Sequence, residues 1–255
     1  GVRGAAIATV ISQCISAALV VRCLMKETGP LRLDFRQLKI YPIKLKQIMQ
    51  VGIPAGIQGM LFSLANVTVQ SSVNSFGEVI MAGSSAAISI EQFIYSNINA
   101  FYQANVAFTS QNYGAGNIKR CKRIFWQCML FGFVFTEALS IIFIAWGDFF
   151  VSIYTTSEMV AAFALSRMYH VCSLEGLTTT YEVESAALRG VGKSLEPAIF
   201  TILGTVVFRL IWLATIFKMV PTYDMLMNVY VASWVFTGVS LLIVYLHHMR
   251  KISSS

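Results

Sequence analysis

The sequence predicts an all-α integral membrane protein with about seven transmembrane helices. Three observations predict it. Hydrophobic residues make up 56% of the 255-residue chain and charged residues only 12%, with a mean hydropathy of +0.66, whereas a soluble domain carries about 25% charged residues. Seven apolar runs reach the roughly 20 residues that a helix needs to cross a bilayer. The basic residues gather in alternate connections between those runs.

The runs are Gly4–Met25, Gln47–Ser75, Val79–Thr109, Ile124–Trp146, Met159–Leu188, Glu196–Met219 and Met225–Met249. Their connections are short and rich in Gly, Pro and Asn, except for Lys26–Lys46. That segment alternates polar and apolar residues in "LRLDFRQLKIYPIK", which suits a stretch lying in the membrane interface. It is also the one plausible domain boundary, and divides the chain into 1–25, 26–46 and 47–255. The chain opens at Gly1 almost inside a hydrophobic run, so we expect it to be a piece of a longer protein.

The net charge of +7 raises the question of nucleic acid. Position answers it. Fifteen of the nineteen Lys and Arg lie around Lys26–Lys46, at Lys119–Arg123, at Arg189 and Lys193, and at Arg250 and Lys251. The intervening connections, "SFGEV", "GDFFVSIYTTSE" and "KMVPTYD", hold one lysine among them. Basic loops stay on the cytoplasmic side. This alternation predicts an N-terminus outside, a C-terminus in the cytoplasm, lipid as the surrounding partner, and no nucleic-acid role. The five cysteines show no metal-ligand spacing and read as small core hydrophobes. Neither a metal nor an organic cofactor is expected.

The stretch "SQNYGAGNIKRCKR", Ser110–Arg123, combines glycines with basic residues as phosphate loops do. It lacks the Lys-Ser/Thr step of a P-loop and comes after a helical run rather than a strand. We read Asn112–Gly116 as a helix terminus in which glycine supplies the left-handed cap.

Polar residues inside membrane spans are costly and mark function by default. In the second run Gln58, Phe62, Asn66, Gln70 and Asn74 recur every four residues, below the helix-softening "GIPAG" at Gly52–Gly56. Glu91, Tyr95, Asn99 and Gln103 repeat the pattern in the third. Residues four apart share a helix face. Each stripe therefore either lines a water-filled cavity or forms hydrogen bonds between helices. Glu137 lies near the middle of the fourth run, as an isolated carboxylate or the partner of an arginine. In the fifth, Glu175, Thr178 and Glu182 share a face, with Tyr181 beside them. Glu184 and Arg189 are expected to be solvated near its cytoplasmic end. Arg209 is central in the sixth and is expected to pair with a glutamate, unless it contacts substrate. His170 reads as a satisfied core histidine. The eleven Met and eighteen Phe suit packing and also a permissive apolar pocket. No grouping resembles a catalytic cluster, so an enzyme is not expected.

Four motifs add a resemblance. "FTSQNYGAGNIKR" resembles the G-Q-N-x-G-A-G-N helix end of the multidrug and toxic compound extrusion (MATE) transporters. "VGIPAGIQ", Val51–Gln58, resembles the start of the first helix of that family's C-terminal lobe. "ALRGVGKSLEP", Ala187–Pro197, resembles its Leu-Arg-Gly-x-Gly turn, and "GVRGAAIATVISQ", Gly1–Gln13, resembles the helix before its inter-lobe loop. They occur in family order over nearly the whole chain.

The resemblance implies one six-helix lobe of a two-lobe, twelve-helix MATE-like transporter, together with the preceding helix. Residues 1–25 would be the last N-lobe helix, 26–46 the cytoplasmic inter-lobe loop and 47–255 the C-terminal lobe. The partner would be the missing N-terminal lobe, and the cargo drugs or other small organic substrates. Export would proceed by alternating access against entry of H+ or Na+ across the plasma (inner) membrane. Some cation-coupled members carry a carboxylate eight residues after the Pro of G-x-P and another ten before the Leu of L-R-G. Here those positions are Phe62 and Thr178. Coupling would then fall to Glu91, Glu137, Glu175 or Glu182, or to the N-lobe. Gln58, Phe62, Asn66, Gln70, Tyr95, Asn99, Thr178, Tyr181 and Arg209 are the substrate-cavity candidates. Two other functions share parts of this pattern. A lipid-linked sugar flippase of related fold would favour a more basic cavity. A seven-helix receptor would share the topology without needing the cytoplasmic Gly-x-Gly turns.

Overall fold

Turn chemistry separates the apolar runs into helices. The computed structural model describes residues 2–29 and 32–254 and contains no strand among them. The chain forms two compact units, Gly1–Gln47 and Ile48–Ser255. The first holds α1 (Val2–Lys26), a 3₁₀ turn at Phe35–Gln37 and the start of α2 (Pro42–Asn74). Asp34 caps the 3₁₀ turn by accepting from the Arg36 N–H at 2.9 Å. Helix α2 starts five residues before the apolar run that predicted it. Proline suits a first helical position, where its missing N–H is no loss.

The second unit carries the rest of α2 and then α3 (Glu78–Gly114), α4 (Ile118–Ala145), the short α5 (Gly147–Ser152), α6 (Glu158–Cys172) and α7 (Gly176–Gly190). The sixth run is α8 (Leu195–Thr201), a π-helical stretch (Ile202–Val207), α9 (Phe208–Ala214) and α10 (Ile216–Met219), and the last is α11 (Tyr223–Ser254). Helix α3 packs against α4, α6 and α7, and α7 packs in turn against α4 and α11.

Among the described residues, five helical segments are long and apolar enough to cross a membrane by length and composition: Ala6–Lys26, Pro42–Asn74, Ile118–Ala145, Leu195–Met219 and Tyr223–Ile252. The third and fifth predicted runs differ, for separate reasons. Helix α3, with 37 residues, is long enough, but its polar stripe lowers its hydropathy. The fifth run is two helices of 15 residues each, broken between Cys172 and Gly176. On α4, Trp126 and Trp146 are both exposed and lie 20 positions apart. At 1.5 Å per residue this is about 30 Å, the depth of the hydrocarbon core. Tryptophans at both interfaces are the usual aromatic belts. Between them Leu130, Phe131, Val134, Phe135, Ile141 and Ile142 remain exposed, as a lipid-facing surface requires.

Two turns share one design. After α3, the Gly116 N–H donates to the Tyr113 carbonyl and the Asn117 N–H to that of Asn112, with Gly116 at φ +75°. After α7, the Gly192 N–H donates to Arg189 and the Lys193 N–H to Leu188, with Gly192 at φ +80°. Both are Schellman ends in which glycine takes the left-handed position. The Ser110–Arg123 stretch is thus a helix stop and restart. Asn117 then caps α4, accepting from the Arg120 N–H at 3.1 Å.

Membrane helices associate through close packing and polar contacts rather than hydrophobic exclusion. Gly83 lets α3 approach α6 so closely that a Cβ there would lie 2.7 Å from the Val160 carbonyl oxygen. Phe125 of α4 stacks on Tyr245 of α11 with centroids 3.8 Å apart. Val69 and Val73 at the end of α2 join the same core cluster.

Candidate functional site

Helices α2, α3, α6, α7, α9 and α11 bring together many of the polar residues singled out in the sequence. The larger of the two cavities that adjoin at Phe62, Tyr95 and Tyr181, about 470 Å³, is lined by Phe62, Asn66 and Gln70 of α2, by Glu91 and Tyr95 of α3, and by Thr178 and Tyr181 of α7. Glu175, Arg167, Arg209, Tyr230 and Trp234 complete its wall. A second cavity of about 220 Å³ shares Phe62, Tyr95 and Tyr181 and adds Gln58, Asn99, Tyr102, Glu182 and Arg189. Gln103, the last of the α3 stripe, is exposed. Asn74 accepts from the Gln70 side chain at 3.0 Å.

Two arginines face the larger cavity, and their surroundings differ. Arg167 grips Glu91 with Nε to Oε1 at 2.7 Å and Nη2 to Oε2 at 2.9 Å. Its Nη1 donates to Ser84 Oγ at 3.0 Å. This is the planar two-pronged geometry that suits a guanidinium to a carboxylate. Arg209 has no such partner. The sequence led us to expect a glutamate beside it, and that expectation is corrected: Glu91 is paired with Arg167, and neither Glu91 nor Glu175 bonds Arg209. Arg209 is only 1% exposed. Its Nη1 donates to Asn66 Oδ1 at 2.8 Å and its Nε to Ser233 Oγ at 3.1 Å. The guanidinium carbon lies 4.7 Å from the Tyr230 ring centre and 5.5 Å from that of Phe62. Arg167 lies 5.4 Å from the same Tyr230 ring, so one tyrosine faces both cations. The π-helical stretch before α9 contributes to this placement. Its wide turn adds a residue to the helical repeat and rotates α9 by about 100° relative to α8.

In the smaller cavity Arg189 donates to Gln58 Oε1 at 2.6 Å and also to the Tyr102 hydroxyl. It therefore ties α2 and α3 to the end of α7. The Tyr95 hydroxyl donates to Glu182 Oε1 at 3.5 Å. Ser194 Oγ donates to the Val51 carbonyl at 2.9 Å, just before the "GIPAG" stretch in which Pro54 lacks an N–H.

Three further expectations need correction. Glu137 lies outside both cavities and pairs with no arginine. Its Oε1 accepts from the Gly176 N–H at 3.0 Å, capping the start of α7 where orphan backbone donors need an acceptor. This cap explains why the fifth run breaks. Glu184 is not solvated but 1% exposed, and its Oε2 has no hydrogen-bond partner. Arg189 is the three-helix tie just described. His170 is partly buried, with Nδ1 2.8 Å from the Ser166 carbonyl and Nε2 3.5 Å from Asp224. Glu175 is 5% exposed and its Oε2 also lacks a partner. Tyr230 and Trp234 of α11 were missed by sequence reasoning. Their four-residue spacing was available as a signal, but an aromatic pair in an apolar helix looks like ordinary core.

The two cavities together present hydroxyls, amides, two carboxyls outside the Arg167 pair and one guanidinium without a carboxylate bond, between aromatic walls, and the larger is of drug-like size. Comparison with known proteins agrees with that architecture. The family model MatE matches residues 54–215, more than half of the chain. The probable multidrug resistance protein YoeA of Bacillus subtilis is 25% identical over 205 residues, covering 79% of this chain and 44% of that protein. The probable multidrug resistance protein NorM of Thermotoga maritima is 23% identical over 214 residues, covering 82% of this chain and 45% of that one. The chain thus spans about half the length of these relatives. A solved MATE structure in complex with MaD3S superposes over 100% of this chain and 57% of its own, with TM-score 0.85 and 20% identity. A multidrug resistance MATE family transporter of the MOP superfamily, in an outward-facing conformation, gives 0.83 at 22% identity over 100% of this chain and 57% of its own. The chain belongs to the MatE family.

Proposed function

We propose that this chain is the C-terminal lobe, with the preceding helix, of an exporter that moves drugs or other organic compounds by alternating access in exchange for H+ or Na+. Residues 1–25 end the N-terminal lobe, 26–46 link the lobes and 47–255 form the second lobe. The protein sits in the plasma (inner) membrane with its C-terminus in the cytoplasm. The observation that carries this reading is the larger cavity. It lies among helices that read as membrane spans, and it brings apolar rings together with a carboxyl that has an unpartnered oxygen, Glu175. Glu182 faces the adjoining cavity with only Tyr95 as hydrogen-bond partner. An ionisable group in such a place takes up and releases a cation as access alternates.

The full-length protein in vesicles tests the reading. An imposed H+ or Na+ gradient should drive accumulation of a lipophilic cationic dye, and collapsing that gradient should stop it. Movement that ignores both gradients would defeat the coupling, and movement of neither this dye nor a lipophilic anionic one would defeat the exporter reading.

A further inference from the structure

The charges of the larger cavity are equal in number but not all paired. Its carboxylates are Glu91 and Glu175 and its cations Arg167 and Arg209. Glu91 is committed to Arg167 through both oxygens. Glu175 makes neither an ion pair nor a hydrogen bond to Arg209, whose only acceptors among the described residues are the neutral Asn66 and Ser233. A guanidinium buried to this extent is expensive without a counter-charge. The rings of Tyr230 and Phe62 offset part of that cost. They also leave an aromatic surface next to the charge.

We propose that this cavity binds a singly charged amphipathic anion, a carboxylate or phosphate on an apolar body, with Arg209 as its counter-ion. The inference rests on the exporter reading and names a substrate class for the same cavity. The volume of about 470 Å³ admits a ligand of a few ring sizes. Phe62, Tyr230 and Trp234 would cover the apolar part. Asn66 fixes the guanidinium from the α2 side, and a carboxylate at that position would neutralise it from within the protein.

The test is binding of 2-naphthylacetate and its uncharged amide to the purified full-length protein in neutral detergent. The acid should bind roughly tenfold or more tightly than the amide, as expected for one charge-assisted contact. Asn66→Asp should abolish that preference, because it supplies the counter-charge from within the protein, and the acid-to-amide affinity ratio should fall to about one. Arg209→Gln should do the same, and Arg209→Lys should keep part of it. If Arg209→Gln does not fold, Asn66→Asp still decides, because it keeps the arginine. Acid and amide binding alike, or a preference that survives Asn66→Asp, overturns the proposal. Competition separates the sources of the anion. Displacement of the acid by phosphatidic acid in mixed micelles assigns a lipid headgroup, and its absence assigns a soluble acid; both keep Arg209 as counter-ion. Gradient-driven uptake of the acid is measured in parallel. Binding without uptake defeats the exporter reading alone, and dye export without acid preference defeats the anion site alone.

Discussion

Arg167 and Glu91 meet through two hydrogen bonds, 2.7 and 2.9 Å long, that join α6 to α3 beside the larger cavity. The pair predicts a specific stability pattern. Removing one partner leaves a buried charge alone, which costs about 3–5 kcal/mol. Glu91→Leu and Arg167→Met should therefore each lower the melting temperature of the full-length protein in detergent. The double variant should recover most of the loss. A double variant as unstable as the sum of the two singles would show that the pair is not a coupled unit.

Glu137 gives a second pattern. Its carboxylate caps the N-terminus of α7 through Gly176. Losing such a cap costs about 1 kcal/mol. Glu137→Ala should lower stability by that order while leaving gradient-driven transport intact. Loss of coupling at unchanged stability would make Glu137 a coupling group after all.

Much of the fold was legible in the sequence because hydropathy and four-residue periodicity report directly on helices and their faces. The stripe from Gln58 to Gln70 and the one from Glu91 to Asn99 were visible as stripes for that reason. What was not legible is which long-range partner each group takes. Arg167 and Arg209 lie in similar apolar settings, yet only one meets a glutamate, and the choice depends on helix packing that no local pattern encodes. The break at Gly176 was hidden for a related reason: the acceptor that stabilises it lies 39 positions earlier, on α4. Glu184 was misread because distance from a span's centre was taken for exposure, while α7 is enclosed on several sides.

The basic-residue alternation predicts a testable topology. Cysteines placed at Ala115 and Lys193, both in the Gly-x-Gly turns and exposed or beside exposed backbone, should resist an impermeant maleimide on intact cells and react once the membrane is opened. A cysteine at Thr156, in the opposite connection and exposed, should react on intact cells. Ser194 is a poor reporter, since it is 3% exposed and bonded to Val51. Labelling of positions 115 and 193 on intact cells would invert the topology.

Arg189 ties Gln58 and Tyr102 to the end of α7. Arg189→Ala should loosen α2 without disturbing the core cluster beneath it. The expected outcome is faster amide exchange in the first half of α2, with protection of α3 and α11 retained. Unchanged exchange there would mean that Ser194 and the lower part of α2 hold the helix on their own.

Coupling is the prediction with the most structure behind it. Among the four candidate carboxylates, Glu91 is bound to Arg167 and Glu137 to a helix terminus, so both have structural roles. Glu175 and Glu182 have none of that kind. One carries an oxygen without a partner and the other holds a single bond of 3.5 Å to Tyr95, and each faces a cavity. A group that must exchange a cation needs access and cannot be locked in an ion pair. Glu175→Gln and Glu182→Gln should therefore express and melt like the parent protein. At least one of them should lose ion-driven dye uptake in vesicles while still binding the dye. Glu91→Gln should differ in kind, losing stability together with transport. If both cavity variants keep full ion-driven uptake, the coupling site lies in the other lobe, and these two carboxyls serve only to shape the cavity.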